Sequence, residues 1–369
     1  MNRTAIAVAL AGLVAVPTLA AAKPDIYGSF RISENYSKTE FNRNPATGRT
    51  RSDLKGWDVQ NNASRLGFKG AENLGNGLAA VYHYEFGVNP ADGVTIGGAN
   101  NRLAYAGLAG AGWGQLTIGT QWNPYYFAVA GEVDSFNGFY SANGYYEAAG
   151  YNELDSTRSG NQILYKTPSY GGFTLHAGIL TDLGGNNGID QYQVAGIYNS
   201  GAFFFGAAYR ALDGDSTTQG IEKQEAKDAG LCQGGAAQSP ACFFSTKNVN
   251  QYGLQARYQS ASGIGLAGSW QRVKQSDIAK WNTYDVVANY DFGSSSARLG
   301  WFKAKNDDGL EQDNDGWIVG LQHRMSKKTR VWLEYGQTNF DQDRNNAVIG
   351  NDSLFDKNKN FSVGMRHDF

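Results

Sequence analysis

Residue types that carry catalytic chemistry are sparse in this chain, and none of them falls into a catalytic pattern. No H-E-x-x-H sequence is present, the spacing that lets a zinc hydrolase place two imidazoles on one face of a helix. No G-x-S-x-G sequence is present either. We expect no enzyme activity and no cofactor; the alternative is a hydrolase site that brings a serine and a histidine together across strands. The four histidines all lie in segments that we predict to be strands, at His83, His176, His323 and His367.

One acidic run resembles a calcium-binding loop. In Glu311-x-Asp313-x-Asp315-Gly316 the carboxylates alternate as calcium ligands do, but Gln322 stands where such a loop places its bidentate glutamate. We assign no metal and interpret the run as part of a polar external loop.

The N-terminal segment has the features of an export signal. Arg3 precedes an apolar stretch over 5–16, and the small residues Ala20-Ala21-Ala22 follow. The stretch is shorter than the roughly 20 apolar residues of a membrane-spanning helix, so a cleaved peptide fits better than an anchor. We predict a signal peptide over 1–22 and a single mature domain over 23–369.

Export bears on the two cysteines, Cys232 and Cys242, which are close in sequence. An exported protein meets an oxidising compartment, so we predict a local disulfide rather than a metal site or a redox motif. A reactive thiol pair is the alternative. In the entropic model, closing so short a loop contributes about 2 to 3 kcal/mol.

Composition narrows the class of protein. The chain has 48 glycines and an equal number of aromatic residues, but only 41% hydrophobic residues, and its 32 basic residues nearly balance 34 acidic ones. This balance argues against a nucleic-acid binder, since the phosphate backbone selects for clustered Lys and Arg. Glycine interrupts helices, and aromatic residues favour pleated surfaces, so we expect an all-β protein.

Alternation with the period of a strand runs from Asp25 to Phe369. Leu66 and Phe68, for example, alternate with Arg65, Gly67 and Lys69, which predicts an apolar face and a polar face. We predict sixteen strands, at 25–40, 63–73, 77–87, 101–109, 113–122, 160–168, 173–182, 190–199, 202–212, 249–259, 264–273, 281–292, 297–305, 316–325, 330–340 and 358–369.

The connections between these strands alternate between long and short, which places short turns at one end of the fold and long loops at the other. An even number of strands of roughly ten residues with this asymmetry is typical of a transmembrane outer-membrane β-barrel. Its sheet closes, because an open edge in lipid would leave backbone groups without partners. The alternative, a secreted protein of repeated hairpins, does not explain the asymmetry of the loops.

Four segments carry a resemblance to a known family. These are Ile26-Tyr27-Gly28, Arg65-Leu66-Gly67-Phe68-Lys69-Gly70, Arg102-Leu103-Ala104-Tyr105-Ala106-Gly107-Leu108 and the terminal Phe369. In this order and spacing the chain resembles the Gram-negative general porins, nearer to the Neisseria-like than to the enteric branch. The resemblance implies a 16-stranded antiparallel β-barrel whose third external loop folds inward, with Phe369 as the membrane-insertion terminus.

The resemblance also implies a pore constriction. The third external loop is 123–159, with Glu132 and Asp134 as its candidate acids, facing basic residues on the wall. The wall candidates are Arg65, Lys69, Arg102 and Arg158, with Ser29 where the family has a lysine. Alternation supports an inward direction for them: Arg65 and Lys69 oppose Leu66 and Phe68, Arg102 opposes Leu103 and Tyr105, and Arg158 is in phase with Gln162 and Lys166.

These features predict an outer-membrane porin for passive diffusion of ions and small hydrophilic solutes, with a weak anion preference because four basic candidates face two acids. The resemblance implies a homotrimer in contact with outer-membrane lipid and lipopolysaccharide, and we expect no nucleic acid as a partner. A solute-specific channel, for example for phosphate or organic anions, is the alternative within this fold. An adhesin or hydrolase that works through its long loops is the alternative from another class.

Overall fold

The computed structural model describes residues 24–43, 52–93, 101–138, 157–181, 188–212, 249–275, 279–306, 312–342 and 353–369. The predicted signal peptide over 1–22 lies outside these ranges, as do Cys232 and Cys242, so the cleavage and the disulfide both stay predictions. Among the described residues, no helix has the length and apolar composition that crossing a membrane requires.

Seventeen strand segments and one short helix make up the described chain. In chain order they are β1 (Asp25–Arg43), β2 (Leu54–Asn61), β3 (Arg65–Gly75), β4 (Leu78–Gly87), β5 (Asn101–Gly110), β6 (Gly114–Trp122), α1 (Pro124–Val129), β7 (Arg158–Lys166), β8 (Phe173–Thr181), β9 (Ile189–Asn199), β10 (Phe203–Leu212), β11 (Val249–Gln259), β12 (Ile264–Gln275), β13 (Ala279–Phe292), β14 (Ser295–Asn306), β15 (Gln312–Arg324), β16 (Thr329–Gln342) and β17 (Ser353–Asp368).

The strands form one closed antiparallel sheet. Neighbours in sequence pair with each other, and β17 pairs with β1 from Ser29 opposite Asp368 to Arg43 opposite Ser353. Both β2 and β3 pair with the same edge of β1, so they form a single wall strand with an interruption, and the seventeen segments make sixteen wall strands. The predicted 16-stranded antiparallel barrel is confirmed.

The interruption in the second wall strand corrects the sequence analysis, which assigned 41–62 to a loop. Residues 32–39 of β1 continue to pair with 54–61, so the strand extends further than its alternation suggests. A bulge at 62–64 separates the two parts, with Ala63 at a φ of 65°. Asn62 and Ser64 hold the bulge in place by bonding to the Arg31 carbonyl oxygen. The acidic run that we interpreted as loop likewise lies partly in a strand, since β15 begins at Gln312.

The two faces of the wall differ as the alternation predicts. Outward side chains such as Leu254, Leu266 and Leu299 are exposed and apolar, as a wall in contact with lipid requires. Inward side chains such as Gln255 and Thr283 are polar and buried in the structure. Low mean hydropathy therefore coexists with an apolar exterior, because only one face of each strand meets lipid.

Short turns lie together at one end of the barrel. Two residues each join β3 to β4 and β13 to β14, whereas the connections over 88–100, 123–157 and 213–248 at the opposite end are long. At the short-turn end, Phe369 and Gly28 exchange two backbone hydrogen bonds of 3.1 Å. The Phe369 ring lies across Gly28, where any Cβ would overlap it.

Candidate functional site

A buried carboxylate joins two of the predicted basic residues on the inner wall. Glu85 on β4 is 3.8 Å from Arg65 Nε through its Oε2 atom, and its Oε1 atom accepts a hydrogen bond from Arg102 Nε. Strand alternation and the family resemblance predict both arginines on the inner wall but not the acid between them. The sequence does contain a feature that could have identified Glu85, because it is an isolated acid in an otherwise apolar and aromatic strand.

Arg102 reaches Glu85 by a route that the alternation did not predict. The register between β4 and β5 shifts at Glu85, so that Glu85 pairs with Leu103 and His83 pairs with Tyr105. Leu103 and Tyr105 therefore lie on the inner face, which corrects their assignment to the face opposite Arg102. A bulge gives β5 one extra residue, and Arg102 turns to the same side as Leu103.

A network of hydrogen bonds through Tyr27, His83 and Tyr105 orients the Glu85 carboxylate. The Tyr27 hydroxyl donates to Glu85 Oε2 over 2.7 Å and lies 2.5 Å from His83 Nε2. His83 Nδ1 is in turn 3.3 Å from the Tyr105 hydroxyl. Each member of this network limits the rotamers of the next, so the carboxylate presents both oxygens to the arginines.

Three further arginines extend the basic surface, and sequence reasoning missed all of them as site residues. Arg330, Arg366 and Arg31 occupy directly opposed positions on β16, β17 and β1. Asp368 is shared between two of them, at 2.6 Å from Arg366 Nε and 3.5 Å from Arg330 Nη2. Ser29, a predicted wall residue, is buried and lies opposite both Arg65 and Asp368.

We call this surface the arginine wall, and it consists of Arg31, Arg65, Arg102, Arg330 and Arg366. Its two shared carboxylates, Glu85 and Asp368, leave these seven side chains with a formal net charge of 5 − 2 = +3. Arginine keeps its charge at any physiological pH, so the excess is permanent.

Arg158 joins the arginine wall through an aromatic ring. Its guanidinium lies 4.8 Å from the centre of the Trp122 ring, and that of Arg102 lies 6.0 Å from the same ring. Regular strand alternation does not connect Arg158 with Gln162 as predicted. The register between β6 and β7 shifts here, and Asn161 has a φ of 49°. The contact with Trp122, rather than strand alternation, places Arg158 beside Arg102.

Lys69 lies apart from these residues. It is four positions closer to the short-turn end than Arg65 and is half exposed, 3.9 Å from Asp25 Oδ2. Its ammonium also lies 5.5 Å from the centre of the Tyr27 ring. The structure therefore puts Lys69 near the short-turn mouth of the barrel and not with the other predicted basic residues.

The strands that contact α1 present neutral amide side chains, in contrast to the charged side chains of the arginine wall. Buried amide side chains occupy the polar face here, and we call Gln193, Gln251, Gln255 and Gln271 the glutamine wall. Gln193 Nε2 donates to Asn123 Oδ1 over 3.3 Å, and the Tyr125 hydroxyl is 3.5 Å from Gln271 Oε1. The backbone nitrogen of Glu132 donates to Gln255 Oε1 over 3.3 Å.

Two glycines permit this close contact. A Cβ on Gly206 of β10 would overlap the backbone of Ala128, and a Cβ on Gly253 of β11 would overlap the side chain of Val129. Tyr125, Ala128 and Val129 are fully buried as a result. The small residues thus form a seat in the wall for the second half of α1.

The predicted loop acids have local partners. Glu132 pairs with Arg257 of β11, with 2.7 Å between Oε2 and Nε, and Asp134 accepts a hydrogen bond of 2.5 Å from the Tyr126 hydroxyl. Burial raises the pKa of the Glu132 carboxyl, and the charge of Arg257 opposes that rise. The predicted arrangement of loop acids facing Arg65 and Arg102 therefore needs correction for Glu132, whose cation stands on a different part of the wall.

The end of this segment at Asn137 and Gly138 forms hydrogen bonds with the wall at β16. Glu334 of β16 accepts hydrogen bonds from the backbone nitrogens of Asn137, at 2.8 Å, and Gly138, at 2.6 Å. The Phe136 ring lies where a Cβ on Gly300 would be, and Arg298 donates to the Ser135 carbonyl oxygen. Residues 123–138 therefore contact the polar face from β9 to β16.

Comparison with known proteins now adds the family. A model described as Gram-negative porin matches residues 5–343. The chain belongs to this family. A major outer membrane protein P.IB of Neisseria meningitidis is 26% identical to this porin over 385 residues, with all of both chains covered.

Solved structures show the same fold as this porin. An anion-selective porin from Comamonas acidovorans superposes with a TM-score of 0.70 at 19% identity, covering 94% of this chain and 99% of that one. A trimer form of OmpT from Vibrio cholerae superposes with a TM-score of 0.62 at 14% identity, covering 95% and 100%.

Family and fold together establish what this porin does. It lies in the outer membrane of a Gram-negative bacterium and forms a water-filled channel for passive diffusion of ions and small hydrophilic solutes. The family and the relatives are channels rather than enzymes. The chemistry of the inner wall is therefore the chemistry that a diffusing solute meets.

Proposed function

We propose that this porin is a general diffusion channel with a weak preference for anions, without catalytic activity, and that residues 123–138 lie in its lumen and narrow it. The arginine wall is the observation that carries the proposal. Arg65 and Arg102 of this wall form the constriction on one side together with Arg158, which lies beside Arg102, and the segment that carries Glu132 and Asp134 bounds it on the other.

Contacts of the segment over 123–138 support its place in the lumen. Its bonding partners Gln193, Gln271, Arg257 and Glu334 lie on the face of the wall opposite the exposed leucines. They belong to strands that are spread around the barrel, from β9 to β16. A segment outside the barrel could not reach all of these strands on their polar face.

Electrostatics supports the preference for anions. A net positive wall beside a narrow watery passage raises the local concentration of anions and lowers that of cations. Glu132 does not offset it, because its charge is already paired with Arg257. The neighbour from Comamonas, whose title calls it anion-selective, has the same fold at low identity.

Reversal potentials in planar bilayers under a salt gradient test the proposal. We expect the triple change R65Q/R102Q/R158Q to move the reversal potential towards that of cations while a stable ohmic conductance persists. The change K69Q removes a single charge near the mouth and serves as a control with a smaller shift. An unchanged reversal potential in the triple variant would show that these arginines do not form the constriction.

A solute-specific channel is the second candidate, and the opposed Arg31, Arg366 and Arg330 favour it. Three guanidinium groups on adjacent strands suit the oxygens of phosphate or of an organic dianion. Such a channel would show saturable block of chloride current by one solute at low concentration. A current that only scales with the bulk concentration of each anion supports general diffusion.

The assembly that we propose is a homotrimer, surrounded by outer-membrane lipid and lipopolysaccharide. The trimer form of the neighbour from Vibrio cholerae supports the proposal, because it shares the fold over nearly the whole chain. Light scattering coupled to gel filtration in detergent, with the detergent mass subtracted, is expected to give three chains per particle. A mass of one chain would contradict it.

A further inference from the structure

A small cavity lies on the inner face of the wall where β16, β17 and β1 meet. Asn35, Ser362 and Glu334 occupy directly opposed positions on these three strands, and Asn360 lies beside Ser362 on the same face of β17. These four side chains and Gly138 line a cavity of about 20 Å³. We call it the seam cavity, and its volume suits one ion or one water molecule.

Hydrogen bonds on the inner face fix the direction of the Asn35 amide. The Asp58 carboxylate can only accept, and Gln60 Nε2 donates to it over 3.3 Å, so Gln60 presents its Oε1 atom to Asn35. Asn35 Nδ2 donates to that Oε1 atom over 2.7 Å. The remaining Oδ1 atom is buried and makes no hydrogen bond within the described part of the chain, although Asn35 is only 5% exposed. The seam cavity is thus lined by a buried amide with an unpaired oxygen.

Two further acceptors belong to the same cavity. The Oδ1 atom of Asn360 is also buried and makes no hydrogen bond to any described residue. Glu334 Oε1 already accepts from the backbone nitrogen and the Nδ2 atom of Asn137, whereas Oε2 accepts only from the Gly138 nitrogen. Each carboxylate oxygen has two lone pairs, so Glu334 Oε2 retains one. The residues that line the cavity therefore offer three free acceptor positions.

We propose that the seam cavity is a calcium site. One water molecule can donate only two hydrogen bonds, whereas a cation can contact all three acceptors at once. Carboxylate and amide oxygens are ligands of hard cations, and Mg²⁺ gives up its water less readily than the larger Ca²⁺ does. Glu334 is the single charged ligand, and Arg330 lies four residues away on the same face of β16. The site is therefore weak, with a dissociation constant of about 10⁻³ M.

The ion connects the wall to the segment over 123–138. Its ligands come from β1, β16 and β17, and the same Glu334 carboxylate accepts the hydrogen bond from Gly138. Calcium therefore holds the end of the segment against both sides of the barrel seam and reduces its fluctuations. This role goes beyond the proposed ion preference, and neither proposal depends on the other.

Terbium luminescence on the detergent-solubilised porin tests the proposal, with Tb³⁺ as the probe for calcium. Trp332 Nε1 donates to Ser362 Oγ over 3.2 Å, so its indole lies beside the cavity and can transfer excitation to the ion. We expect Tb³⁺ to bind, Ca²⁺ to displace it, and W332F to lose most of the luminescence. We expect N360V, which removes one ligand, to weaken binding about tenfold. N358V is the matched control, because Asn358 is on the same face of β17 but does not line the cavity.

Several results would overturn the assignment. Equal weakening in N360V and N358V, or luminescence that persists in W332F, would place the ion elsewhere. Displacement by Mg²⁺ as readily as by Ca²⁺ would contradict a calcium site, and absence of binding would leave water as the occupant. In planar bilayers we expect millimolar Ca²⁺ to reduce current fluctuations in the unchanged porin and not in N360V; an equal reduction in both would contradict the proposal. Reversal potentials of the same channels test the proposed function separately, because both variants keep the arginine wall.

Discussion

The arginine wall and the glutamine wall keep polar side chains on the same inner surface in two different ways. The arginines share carboxylates, and their charge excess requires contact with water, because an unpaired buried charge is costly. The glutamines are neutral, and an amide both donates and accepts, so protein can cover them. Gln251 and Gln271, for example, bond to each other over 3.2 Å beneath α1. The four glutamines therefore add no charge to the passage, whereas the five arginines do.

Charge reversal on the arginine wall is expected to have the largest effect. In R31E/R366E the wall changes by four units of charge, and we expect the anion-to-cation permeability ratio to fall about tenfold, equivalent to about 1.4 kcal/mol. The measurement is the reversal potential in a salt gradient. The control K274E/K280E makes the same change on the outward face, where salt screens it from the passage. A similar shift of the reversal potential in both variants would show that the arginine wall does not set the ion preference.

Filling the seat beneath α1 is expected to have the next largest effect. In G206A the new Cβ overlaps the backbone of Ala128, and overpacking of this kind costs about 1 to 3 kcal/mol. We expect α1 to leave the glutamine wall and single-channel conductance to rise. G268A is the matched control, since its Cβ would be 3.4 Å from its nearest neighbour, an ordinary contact. Unchanged conductance in G206A would mean that α1 does not limit the passage.

Weakening the hydrogen bonds between Glu334 and the backbone of Asn137 and Gly138 is expected to have a smaller effect on the current. E334Q keeps an acceptor oxygen but loses the charge that strengthens its bonds to the Asn137 and Gly138 nitrogens, a loss of about 1 kcal/mol. We expect larger fluctuations of the open-channel current at an unchanged mean conductance. E72Q, at an exposed position of β3, is the control. Identical current noise in the two variants would show that the bonds to Glu334 do not hold the segment over 123–138 in place.

Protonation of Glu132 is expected to have the smallest effect. Burial raises the pKa of its carboxyl, so as the pH falls it takes up a proton earlier than an exposed glutamate does. Protonation leaves the charge of Arg257 without its partner, and the anion preference therefore rises with acidification, by less than about twofold. In E132Q we expect this increment to be present already at neutral pH. A reversal potential that titrates identically in E132Q would assign the step to another group.

Much of the barrel was predictable, because alternation is local. Arg65 could be assigned to the polar face from Leu66 and Phe68 alone. Bulges limit this approach, since one extra residue inverts the phase. The bulge near Leu103 made the face assignment of Leu103 and Tyr105 wrong, and the irregularity near Asn161 breaks the phase between Arg158 and Gln162. Arg102 nevertheless contacts Glu85, because the bulge turns its side chain towards the acid.

Pairing between distant strands was not predictable from one sequence. Arg31 was visible on a polar face, but nothing local shows that Arg366 and Arg330 stand beside it. Likewise, Glu132 has several arginines within the reach of a long loop, and only the fold selects Arg257. The strands themselves are encoded locally, whereas the arginine wall depends on how they are ordered around the ring.

The seam between β1 and β17 joins residues more than three hundred positions apart, from Ser29 opposite Asp368 upwards. Pairing at such separation has the highest loop-closure entropy of any contact in the sheet, and contacts of this kind form late in folding. Arg31 stands on one side of the seam and Arg366 on the other. A half-assembled sheet would therefore have strands, turns and an apolar exterior, but its selectivity would come into existence only when the ring closes.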